Sequence, residues 1–242
     1  MSVHVLQFGD IFYATAMQNY THRNKQWAEC MGYNYIFELA EPNEEKCIYS
    51  LKVETILAAL ERIPPKDWII FLDLDVQYQA KLCTAMEDRL PRYSTSATRD
   101  HHGQQCEFIA LTGPHTINTG VLLVQSTNST IQLVRRWLQA QQKYRFCSGP
   151  ADQFSLQEVV METFLVHLYD GECNRVLDMH ERNLCFKKYM PEDQRSIQYM
   201  CFIGCNDLNP LQCHDCPDDS CNNEAAIFHH SRKPLLDHPP PI

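Results

Sequence analysis

Apolar positions along this chain switch between two periods, and each switch marks an element. The first strand-like segment is Val3-His4-Val5-Leu6. From about Ala14 to Met31, Met17, Tyr20, Trp27 and Met31 recur at helical spacing, and Gly32 follows as a helix-terminating residue. Tyr33-Asn34-Tyr35-Ile36-Phe37 reads as a strand. Val53, Ile56, Leu57 and Leu60 then form an i, i+3, i+4, i+7 stripe that predicts a second helix ending before Pro64-Pro65.

The run Trp68-Ile69-Ile70-Phe71-Leu72 reads as a fully buried parallel strand. A helical or irregular stretch is expected from Val76 to Pro91. Further strands are expected at Phe108-Ile109-Ala110-Leu111 and Val121-Leu122-Leu123-Val124, with a Gly113-Pro114 loop between them. A helix carrying Ile131, Val134, Trp137 and Leu138 on one face follows. Strands alternate with helices to about residue 165, the pattern of a doubly wound sheet. The segment from about 170 to 225, rich in Cys, Asp, Asn and Pro, breaks that rhythm and is expected to form an irregular flap over the strand ends. No linker divides the chain, so residues 1–242 are read as one α/β domain.

The buried run at 68–72 ends in Asp73-Leu74-Asp75. Side chains on a strand alternate faces, so the two acids point the same way and can share a hard divalent cation, or split between a cation and a bound hydroxyl. In open α/β sheets ligands bind beyond the carboxyl ends of such strands. The plainer alternative is that one Asp caps the next element while the other is solvated.

The net charge of −9 leaves no basic stripe to neutralise phosphates, which argues against sequence-independent nucleic-acid binding. No apolar run reaches membrane-spanning length. Twelve cysteines are many for a cytosolic enzyme. Five of them, Cys201, Cys205, Cys213, Cys216 and Cys221, crowd together toward the C-terminus, where disulfides or a zinc knot using Cys213 and Cys216 would account for them. Disulfides would fit the Golgi or another secretory lumen if an N-terminal anchor is missing from this chain, and a cytoplasmic location is the alternative; Asn19-Tyr20-Thr21 and Asn128-Ser129-Thr130 are glycosylation triplets of a kind that arises readily by chance and matter only in such a lumen.

Ile227-Phe228-His229-His230 closes another short apolar run with histidines, and imidazole is a natural third ligand beside two carboxylates. Lys233, four residues beyond His229, is a candidate for nucleotide phosphates. Lys52, at the start of the second predicted helix, opposes the helix dipole unless an anion is near, and so is a candidate phosphate or sugar contact. Asn118-Thr119-Gly120 precedes a strand and can present an amide to sugar hydroxyls. Asp152-Gln153 opens a helix and can bind the same sugar or steady a developing positive charge at its anomeric carbon. Each also has an ordinary reading, a glycine turn for the first and an N-cap for Asp152.

In this order, Asn24-Lys25-x-Trp27-Ala28-x-x-x-Gly32-Tyr33, Leu51-Lys52, Trp68 through Asp75, Asn118-Thr119-Gly120, Asp152-Gln153 and Ile227-Phe228-His229 resemble the GT-A nucleotide-sugar glycosyltransferases. The likeness is greatest to the galactosyl, xylosyl and mannosyl transferases of glycosyltransferase family 34, with a tail similar to the glycogenin-like family 8, and runs from about 14 to 233. It implies a Rossmann-like GT-A domain with a doubly wound mixed sheet, a nucleotide-diphosphate sugar donor such as a UDP-sugar, Mn²⁺ (or Mg²⁺), a glycan or glycoprotein acceptor, and transfer with retention of anomeric configuration. It further implies that Asp73 contacts ribose and metal, that Asp75 and His229 bind the metal, and that Lys233 reaches the diphosphate. Asn118, Asp152 and Gln153 would hold the donor sugar. Two departures stand out: His230-Ser231-Arg232 follows the metal histidine where an aromatic or Gly-containing segment is usual, leaving His229 and His230 both open, and the cysteine insert at 200–221 has no counterpart.

Two other classes compete. A haloacid-dehalogenase-type phosphohydrolase also begins with an apolar strand and Asp-x-Asp, but places it at the N-terminus. A non-catalytic sugar-binding protein of the same fold would release no nucleotide.

Overall fold

A computed structural model describes residues 1–41, 47–78, 106–112, 117–143, 151–164, 173, 181, 184–185, 196–197, 199–204 and 227–229. In chain order the elements are β1 (Val3–Asp10), α1 (Ile11–Ala16), α2 (Gln18–Cys30), β2 (Asn34–Ala40), α3 (Ile48–Arg62), β3 (Trp68–Asp73) and β4 (Val76–Tyr78). They continue with β5 (Phe108–Thr112), β6 (Ile117–Gln125), α4 (Asn128–Gln141), α5 (Ala151–Phe164), β7 (Ser196–Ile197), β8 (Met200–Gly204) and β9 (Ile227–His229).

Seven strands form one sheet in the order β2-β1-β3-β6-β5-β8-β7. β1 runs parallel to β2 and β3, β6 runs antiparallel to both β3 and β5, and β8 runs parallel to β5. The acid-tipped strand therefore has one parallel and one antiparallel neighbour, which corrects the expectation of a purely parallel setting. Its burial follows from covered faces rather than from parallel pairing. Ile69 and Phe71 point into a core with Val53, Ile56 and Leu60 of α3, Val134 and Trp137 of α4 and Val160 of α5. Trp68, Ile70 and Leu72 point into a second core with Trp27 and Ala28 of α2. Strand alternation thus assigns side chains to two helix layers, and both layers are apolar.

Several boundaries differ from the sequence expectation. The first helix is two helices, interrupted at Met17, because Asp10 caps a separate short helix by accepting from the Tyr13 N–H at 2.8 Å. Gly32 does end α2, at a positive φ of 70° that suits glycine. Lys52 is not in the first turn of α3, which begins at Ile48, so the helix-dipole argument for it lapses. Asn118-Thr119-Gly120 lies inside β6 rather than ahead of a strand. Val76–Tyr78 is a strand where a helical or irregular stretch was expected. The 170–225 region is not wholly a flap, since β8 joins the main sheet.

Two disulfides join described cysteines, Cys106 to Cys201 and Cys173 to Cys185, and Cys47 is disulfide-bonded as well. Cys201 therefore fastens β8 to Cys106, two residues ahead of β5. Cys205, Cys213, Cys216 and Cys221, with the zinc alternative, lie outside the described residues. Cross-links of this kind persist in oxidising surroundings. Among the described residues no helix is long and apolar enough to cross a membrane.

Candidate active site

Three strand ends define one edge of the sheet. β1 and β3 deliver their carboxyl ends there, and β6, being antiparallel to β3 with Val121 opposite Leu72, delivers its amino end. The register between β5 and β6 shifts at Ala110/Leu111, so that Ala110 faces Leu122 while Leu111 faces Asn118. This irregularity breaks strict alternation over 119–121. Gly120 sits directly against the acid strand: a Cβ there would lie 3.0 Å from Asp73 Oδ2 and 3.0 Å from Asn118 Oδ1. Asn118 Oδ1 also accepts from the Gly120 N–H at 2.7 Å.

Asp73 continues the Ile69 and Phe71 series and so faces α3. There Lys52, 7 % exposed at its side chain, places Nζ 2.8 Å from Asp73 Oδ1 and 2.8 Å from Asp152 Oδ2. The same ammonium stands 3.4 Å from Thr119 Oγ1 and 5.1 Å from the centre of the Phe71 ring. Thr119 Oγ1 donates to Asp152 Oδ2 at 2.5 Å. Asp152 is in the first turn of α5, and its backbone oxygen accepts from Trp137 Nε1 of α4 at 2.8 Å. Its carboxylate thus faces Lys52 and Thr119.

Burial alone would lower the Lys52 pKa, but Asp152 and Asp73 outweigh it and hold the ammonium charged well above its ordinary range. Burial pushes the Asp73 carboxyl up to about 6 against the pull of Lys52, with Asp75 and Asp152 adding to the rise. Asp73 and Asp152 flank one ammonium while Asp75 adds its charge to Asp73 from the turn, so negative charge is left over, and a dication or a bound cationic group would relieve it.

Asp75 lies in the turn after β3, where Tyr13 of α1 donates its hydroxyl to Asp75 Oδ2 at 3.1 Å. Burial first, and then Asp75, push the Tyr13 hydroxyl far up, so it stays a neutral donor. The strand after this turn, β4, pairs antiparallel with β9, and the register sets His229 opposite Val76, the residue next to Asp75. The structure thus brings Asp73, Lys52, Asn118 and Asp152 to one place, with the backbones of Asp75 and His229 beside it. Gln153 follows Asp152 on α5 at intermediate exposure. His230, Lys233 and the side chain of His229 lie outside the described part of the structure. Sequence reasoning missed Tyr13 and Thr119; neither has a spacing signal, although Thr119 stands inside a motif already singled out.

Among the described residues no group of three or more His, Cys, Asp and Glu is gathered for a metal. The described part of the expected set is the pair Asp73 and Asp75, hard oxygen donors that suit Mn²⁺ or Mg²⁺.

Residues 68–212 match the model of the nucleotide-diphospho-sugar transferase family. This chain belongs to that family. The match opens on the first residue of β3 and takes in the acid turn, the amino end of β6 and Asp152, but not Lys52 or β9. The transferase is also similar to the crystal structure of a glycosyltransferase involved in the glycosylation of the major capsid of PBCV-1. That likeness has a TM-score of 0.59 at 14 % identity and covers 96 % of this chain and 95 % of that one. It shows the fold, a GT-A type nucleotide-sugar transferase fold. No curated protein sequence matches the chain. Membership in the family sets aside the haloacid-dehalogenase alternative.

Proposed function

We propose that this transferase moves a hexose or pentose from a nucleotide-diphosphate sugar, with UDP as leaving group, to a glycan or glycoprotein acceptor. The reaction is metal-dependent and retains anomeric configuration, in the manner of family 34. The observation that carries this reading is the buried Asp73–Lys52–Asp152 cluster at the strand edge where α/β sheets bind ligands, within a chain of this family.

In this reading Asp73, Asp75 and His229 hold Mn²⁺ or Mg²⁺, which supplies positive charge against the donor diphosphate. Asp73 also meets the ribose, Asn118 the donor sugar, and Lys233 the diphosphate. Lys52 acts on the donor through the two carboxylates it holds, and any contact of its own with donor oxygens lies at that same point. Asp152 and Gln153 steady the positive charge that develops at the anomeric carbon as the leaving phosphate takes the acceptor proton. The paired cysteines support work in the Golgi or a similar lumen.

A panel of nucleotide sugars, incubated with Mn²⁺ and no acceptor, tests the reading without a guess at the acceptor. Release of free nucleotide from one UDP-sugar, lost in EDTA, is expected. Silence across the panel with bound nucleotide sugar would favour the non-catalytic sugar-binding protein.

A further inference from the structure

The turn that carries the two acids is held at both ends by side-chain amides buried in separate elements. Gln7, fully buried in β1, donates from Nε2 to the backbone oxygen of Asp73 at 3.3 Å, while its Oε1 accepts from the Tyr35 hydroxyl of β2 at 2.8 Å. Asn24, fully buried in α2, donates from Nδ2 to the backbone oxygen of Val76 at 2.7 Å. Between these anchors Leu74 lies over Gly9, so closely that a Cβ at Gly9 would overlap its side chain.

An amide in the middle of an apolar strand costs free energy unless its partners are present, and Gln7 stands between the buried Leu6 and Phe8. Both ends of the Gln7 amide are matched, and its two partners account for an amide at this position. One of those is the acid turn, and Tyr35 fixes the amide's orientation toward it. Asn24 likewise faces the turn from a helix whose other buried residues are Trp27 and Ala28.

Building on the function proposed above, we infer that Gln7 and Asn24 are positioning residues, which set the backbone of Asp73–Val76 so that the two acids stand ready for the cation and the donor before either arrives. They touch neither ligand. Their contribution is to spare binding the ordering of a loose turn.

Two measurements on Gln7→Met, Asn24→Leu and a control, Leu133→Ala in the core under α4, test this. Hydrogen exchange of peptides covering Leu74–Val76, without metal or donor, is expected to quicken by about tenfold or more in the two turn variants, since fewer hydrogen bonds then hold the turn against local opening. The Mn²⁺ concentration for half-maximal binding and donor hydrolysis is expected to rise about 10- to 100-fold in them, with turnover recovering at saturating Mn²⁺. Leu133→Ala should lower Tm and move neither quantity. Should either turn variant fail to fold, Tyr35→Phe, which removes the hydroxyl orienting Gln7, is expected to shift both in the same direction by less. Unchanged turn exchange in Gln7→Met and Asn24→Leu, or an equal change in Leu133→Ala, would overturn the inference. A wild type that binds no Mn²⁺ and hydrolyses no nucleotide sugar would instead overturn the functional reading, and the exchange result would still decide the role of the two amides.

Discussion

Lys52 Nζ lies 2.8 Å from Asp152 Oδ2 and thereby joins α3 to α5 beneath the acid strand. Both side chains are almost wholly buried, so neither charge has water to fall back on. Lys52→Met should cost about 3–5 kcal/mol of stability, because it strands Asp152 and part of Asp73 without their cation. Denaturant titration checks this, and a loss under about 1 kcal/mol would mean that the buried charges had neutralised or been hydrated.

Metal dependence is the second expectation. Mn²⁺ or Mg²⁺ should raise donor affinity and turnover, and EDTA should abolish both. Asp75→Ala should cost more of the metal's effect than Asp73→Ala, because Lys52 already meets part of the Asp73 charge whereas Asp75 is assigned to the metal. Full activity in EDTA would remove the metal from the scheme.

The pH behaviour of the metal effect has a defined sign. Folding raises the Asp73 carboxyl from 3.8 to about 6, so the folded state holds that proton more tightly than the unfolded chain. The group therefore subtracts stability progressively as pH rises through that window, and no further above it. A dication favours the ionised carboxyl and cancels the loss. Added Mn²⁺ should thus raise Tm more at about pH 7 than at about pH 5, and equal shifts would show that Asp73 is not part of the metal's seat.

His229→Ala should weaken metal-dependent donor binding, whereas His230→Ala should be mild, because neighbouring residues of a strand point to opposite faces and β9 ends at His229. Isothermal titration with Mn²⁺ and UDP separates the two. Equal losses would assign the ligand role to both histidines or to neither.

Asp152→Asn should lower kcat by about 10²-fold or more with little change in donor KM, the pattern of an interaction made mainly in the transition state. Product NMR should show the donor's anomeric configuration kept. A normal kcat would reduce Asp152 to a buried partner of Lys52.

The sequence carried most of the layering, because apolar period is a direct record of which side is covered. Trp68 through Leu72 and Val121 through Val124 announced themselves, as did the strand ending in His229. What it hid were relations set by partners distant in the chain. Nothing in the neighbourhood of Val121 says that its strand runs against β3, yet that direction is what brings Gly120 against Asp73 and Thr119 to Lys52 and Asp152. Lys52 looked like a helix-end cation because its partners, Asp73 and Asp152, are invisible to local pattern. Gln7 carried no signal that set it apart, and Asn24 stood in a motif with no hint of its partner, for a buried amide is explained only by what it reaches.

The small sheet of β4 and β9 is separate from the seven-stranded one. Folding and competence can therefore part company. Proteolytic release of the segment bearing Ile227–His229 would leave every ladder of the main sheet intact while freeing the strand that follows Asp75. With His229 in the proposed role of metal ligand, a preparation nicked and trimmed in this way would melt with an ordinary cooperative transition and still fail as a catalyst, so intact mass, rather than a good melting curve, is the measure of an active sample.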